Sequence, residues 1–75
     1  MKKYIIEQAR ISSIGTGDYH VIYETDNLKE AIKMFNKVKH DKSGWTNTKH
    51  CYLETMLQED KDNYLEPIKY EIIKF

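Results

Sequence analysis

Three features of this 75-residue chain predict an α+β fold of order β-β-α-β-β, with one helix packed on one face of a four-stranded, mostly antiparallel sheet. Strand-like stretches come in two pairs. A single strongly amphipathic segment separates the pairs. Within each pair lies a polar stretch able to reverse the chain, and no repeat or linker suggests a second domain. The chain therefore reads as one domain over residues 1–75.

Residues 3–11 (KYIIEQARI) mix β-branched and aromatic side chains with polar ones. Tyr19 to Thr25 (YHVIYET) alternates, with Tyr19, Val21 and Tyr23 on one side. Between them, Ser12 to Asp18 (SSIGTGD) holds two glycines that reach positive φ at no steric cost, so the first pair is expected to form a hairpin.

Leu28, Ala31, Ile32, Phe35 and Val38 recur at helical spacing, while Lys29, Glu30, Lys33, Asn36 and Lys37 lie opposite. Asp26 or Asn27 can cap the start, and Asn27 with Glu30 forms a capping-box pattern. Lys37, Lys39, His40 and Lys42 fall where the dipole favours cations, and Gly44 offers a stop. A helix of about fourteen residues, roughly 21 Å long, covers a small sheet.

Residues 45–49 (WTNTK) read as a connection. His50 to Gln58 then alternates, with Cys51, Leu53, Thr55 and Leu57 on one face and Tyr52, Glu54 and Met56 on the other. Gln58 to Asn63 reads as a polar turn, and Ile68, Tyr70 and Ile72 mark the last strand. Pro67 cannot donate to a ladder, which confines it to a strand start or an edge.

One helix covers one face of such a sheet. The other is expected to carry some of Tyr4, Ile6, Ile22, Tyr52, Met56, Ile73 and Phe75, more apolar surface than a monomer usually leaves wet. A one-residue shift in any strand would exchange its two faces. A chain this short also has a small core, so a second copy or a partner would add stability.

Composition narrows the function classes. Twelve Lys+Arg balance twelve Asp+Glu, so the overall field that draws a duplex-binding domain to phosphates is missing. The charge is segmental: residues 29–50 carry a net +4 and residues 51–75 a net −3. A single Cys, Cys51, permits no internal disulfide, and the apolar stretch after Lys3 stops at Glu7, so neither staple nor leader is expected and a cytoplasmic location is.

Candidate chemistry is sparse. Gly15 to Asp18 (GTGD) lacks the Lys-Ser/Thr and following helix of a phosphate loop and reads as a turn. His50 and Cys51 are neighbours on a strand and point to opposite faces, so they cannot readily share a metal ion, and His20 and His40 lie far off. No catalytic residues, metal site or cofactor are expected, and the chain reads as non-enzymatic. Two binding surfaces remain. Lys37, Lys39, Lys42, Trp45 and Lys49 could meet phosphates with the indole stacked on a base, although lysines at a helix end equally complement its dipole. Tyr52 and Met56 mark the uncovered sheet face, where a protein partner or a second copy would bind.

In its Lys/Ile/Tyr/Asn-rich composition, and in the strand running into a capped helix from Tyr23 to Lys39 (YETDNLKEAIKMFNKVK), the chain resembles small accessory proteins encoded by phages and mobile elements of low-GC bacteria. The resemblance implies action by binding, for instance as an inhibitor of a host defence complex. The reading is thus a small homodimeric protein-binding module, with nucleic-acid or nucleotide binding as the alternative.

Overall fold

A computed structural model describes residues 3–12, 19–40 and 50–74, with the backbone alone described for Ser12, His50 and Cys51. The elements are β1 (Lys3–Ser12), β2 (His20–Thr25), α1 (Leu28–Val38), β3 (His50–Asp60) and β4 (Leu65–Lys74). They form the expected β-β-α-β-β order, with the four strands in one open sheet, β2-β1-β3-β4, and every pairing antiparallel.

The helix begins where the capping residues place it. Asn27 has extended backbone, its Oδ1 accepts the Glu30 N–H at 3.2 Å, and its carbonyl accepts from Ala31 N at 3.0 Å. Thr25 Oγ1 in turn accepts the Asn27 N–H at 3.2 Å. The helix runs 11 residues rather than about fourteen. Its end is bound by an unforeseen group: Gln8 Nε2 of β1 donates to the Val38 carbonyl at 3.0 Å and to Thr55 Oγ1 at 3.1 Å. One orphan carbonyl is thereby satisfied by the sheet itself.

The core lies between α1 and the two central strands, where Ala31 and Phe35 meet Tyr4, Ile6 and Leu57, flanked by Tyr23, Ile32, Met34 and Val38. Ile6 and Leu57 are cross-strand partners, so Tyr4, Ile6, Gln8, Leu53, Thr55 and Leu57 share the helix-side face. Tyr4 and Ile6 therefore belong to the core, not to the open face where the sequence placed them. Ile73, opposite Leu53, is likewise on the helix side. Phe75 lies outside the described residues.

Two bulges account for the remaining differences. Ile6 pairs with Tyr23 but Glu7 with Val21, which leaves Ile22 as an extra residue in β2. Tyr23 consequently faces the helix, whereas Val21 and Tyr19 turn to the opposite side and do not share its face as simple alternation implied. In β4, Lys69 pairs with Leu57 and Pro67 with Gln58, leaving Ile68 as the extra residue. Pro67 thus sits on an edge strand beside a bulge, where its missing N–H breaks no regular ladder.

The last turn starts later than the sequence suggested. Gln58, Glu59 and Asp60 remain in β3, because Gln58 is buried and its amide donates to Glu7 Oε1. The reversal occurs over Lys61 to Tyr64, closed by Lys61 N to the Tyr64 carbonyl at 2.9 Å. Asp62 takes φ +72°, a left-handed conformation that Asp tolerates, and its N–H donates to Asp60 Oδ1 at 2.9 Å.

Candidate functional site

The sheet face away from α1 is the most distinctive surface of the described chain. The β1–β3 register, regular from Lys3 to Ile11, places Ile5, Glu7, Ala9 and Ile11 on it beside Tyr52, Glu54, Met56 and Gln58. From β4 come Tyr70 and Ile72, opposite Met56 and Glu54, and from the other edge Val21 and Tyr19. Val21 is 54% exposed, Ile72 49% and Tyr70 48%, and Tyr19 and Tyr52 are also exposed. No described element lies over them.

At the centre of this apolar surface stands a carboxylate. Glu54 Oε1 accepts from the Tyr19 hydroxyl at 2.5 Å and from the Tyr70 hydroxyl. The two tyrosines come from opposite edges of the sheet. Tyr19 must cross β1 to reach β3, and it does so at Ala9, the cross-strand partner of Glu54. A methyl side chain leaves room for the ring, and Ala9 is accordingly 1% exposed although it faces away from the helix.

The hydroxyls respond to this setting. Burial and the bond to Glu54 hold the Tyr19 phenol well above the usual tyrosine range. For Tyr70 the bond to Glu54 comes first and burial second, in the same direction. Both therefore stay protonated as donors across the ordinary pH range. Glu54 takes part in no ion pair among the described residues, where the pairs formed are Lys3–Glu24, Lys39–Glu71 and Lys61 with Glu59 and Glu66. Charge on this face therefore remains weighted toward acid, with Lys3 committed to Glu24 and Lys74 at the rim opposite Tyr52.

The residues singled out from the sequence are distributed as follows. Tyr52 and Met56 lie on the open face, on either side of Glu54 along β3. Lys37 is exposed in the last turn of α1. Lys39 lies 3.9 Å from Glu71 with its ammonium 5.9 Å from the centre of the Phe35 ring, so part of its interaction capacity is used within the chain. Lys42, Trp45 and Lys49 lie outside the described residues, as do Gly15 to Asp18, and nothing is described of the side chains of His50 and Cys51. Among the described residues no group of three His, Cys, Asp or Glu side chains is placed to hold a metal ion, and no helix is long and apolar enough to cross a membrane.

Tyr19, Glu54 and Tyr70 were not identified as a unit from the sequence. The available signal was Glu54 between Tyr52 and Met56, a charged residue in the middle of an otherwise apolar strand face. Its two partners are distant along the chain and become visible only once the register is set.

Comparisons of the chain with family models, with curated proteins and with solved structures give no match.

Proposed function

We propose that this chain is a non-enzymatic protein-binding module whose docking surface is the sheet face opposite α1. The carrying observation is the continuous group of exposed side chains on that face, Val21, Tyr52, Tyr70 and Ile72 around Glu54. Exposed aromatic and branched apolar side chains grouped on a rigid sheet are the usual composition of a protein interface core, and tyrosine in particular contributes contact area with few rotors to freeze. The resemblance to phage and mobile-element accessory proteins extends the reading to action by occupancy, with a bacterial host protein as the partner.

Self-association is the less favoured form of this reading. Two copies packed face to face would bring two sets of Glu7 and Glu54 into one desolvated layer with few cations to compensate.

Site-specific photo-crosslinking tests the proposal. A benzophenone side chain at Ile72, expressed in a bacterial host, is expected to give a discrete adduct with a second protein, whereas the same group at Lys33 on the outer face of α1 gives none. Adducts from Lys33 alone, or from neither position, would contradict the reading.

A further inference from the structure

We propose that the Tyr19–Glu54–Tyr70 cluster is the anchor point of the docking face and receives an arginine side chain carried on an apolar segment of the partner. The inference rests on the docking role assigned above and adds the chemistry of the partner.

Four observations lead to it. First, Glu54 is a carboxylate set among apolar residues, with Ala9 and Ile72 across from it and Tyr52 and Met56 along its own strand. Docking an apolar partner here would strip water from the charge, which is unfavourable unless the partner supplies a compensating group. Second, no described residue supplies that group, since Glu54 forms no ion pair among the described residues. Third, both described bonds fall on Oε1, and they leave Oε2 with no described donor. The tyrosines thus hold the carboxylate in place with one oxygen and present the other. Fourth, three tyrosines, Tyr19, Tyr52 and Tyr70, border the group and are each partly exposed.

This combination selects a guanidinium over other cations. It is planar, weakly hydrated, donates several parallel N–H bonds to a carboxylate and stacks on aromatic rings, whereas an ammonium is compact and strongly hydrated. The same carboxylate disfavours phosphates, so this face is assigned to a protein and not to a nucleic acid.

The test uses two capped tripeptides, Ac-Val-Arg-Val-NH2 and its citrulline counterpart, which has nearly the same shape without the charge. Each is titrated into the full isotopically labelled chain and followed by amide NMR shifts. The arginine peptide is expected to shift amides of Leu53 to Thr55 and of Tyr70, with an affinity at least tenfold above that of the citrulline peptide. In Glu54→Gln, whose amide oxygen still accepts from both tyrosines, that difference should disappear. Tyr52→Leu, which keeps an apolar side chain but removes the ring, should weaken the arginine peptide severalfold while leaving the citrulline peptide unchanged.

Equal binding of the two peptides on this face would overturn the arginine anchor and leave the docking face standing. Arginine-peptide shifts confined to other surfaces, or none up to solubility, would also overturn it. Failure of the docking face itself is read separately, from the crosslinking at Ile72.

Discussion

The two faces of the sheet are built from the same two central strands, yet they serve opposite ends. On the helix side, Ile6, Leu53, Thr55 and Leu57 are fully buried, and the polar side chain of Gln8, between the central strands and the end of α1, has both of its described bonds inside the fold. On the other side the apolar residues are half covered and the central polar residue, Glu54, is tied through one oxygen only. Burial without open valences makes a core. Exposure with a preset open valence makes a binding surface, and the difference lies in what stands above each face rather than in the strands themselves.

The largest predicted contrast is in stability. Phe35→Ala should cost about 3–5 kcal/mol, a large part of the roughly 4–11 kcal/mol expected for a chain of this length, and urea titration followed by circular dichroism should find it mostly unfolded or close to it. Ile72→Ser, on the open face, should stay within about 0.5 kcal/mol of the parent. Equal losses would mean that the open face is a second core.

A smaller effect concerns the helix start. Asn27→Ala removes the acceptor of the Glu30 N–H and should cost about 1 kcal/mol, a fall in melting temperature of roughly 4–8 °C. An unchanged melting temperature would show that tertiary packing alone fixes α1.

The smallest effect sharpens the account of the open face. The native chain holds the Tyr19 and Tyr70 protons more tightly than the unfolded chain does. Their contribution to stability is therefore complete below about pH 10 and is lost as the pH rises through the higher native values. Phenolate absorbance should show two late-ionising tyrosines. Glu54→Leu, which removes the acceptor, should bring Tyr70 most of the way back and Tyr19 less so, because the bond to Glu54 dominates for Tyr70 and burial for Tyr19. Identical titration curves for the parent and variant would remove the cluster from the account.

Much of this arrangement was legible in the residue order. The helix followed from the spacing of Leu28, Ala31, Phe35 and Val38 and from the Asn27 cap, both local signals. The strands followed from alternation, and Pro67 correctly marked an edge. The faces of β1 were assigned the wrong way round for Tyr4 and Ile6, because Ile5 and Ile6 are adjacent and equally apolar and nothing local decides which points inward. The bulges at Ile22 and Ile68 are products of strand pairing and leave no mark in the pattern. For the same reason Tyr52 and Met56 were found as open-face residues, whereas the bond from Tyr19 to Glu54, 35 positions apart, was not.

The central claim, that the helix-free face is the working surface, is tested most directly by comparing two folded variants for affinity to the protein crosslinked at Ile72. One is Val21→Ser with Ile72→Ser on the open face, and the other is Lys29→Ser with Lys33→Ser on the outer side of α1. A loss of tenfold or more in the first and none in the second is the predicted result. Unchanged affinity in the first, or an equal loss in the second, would contradict it.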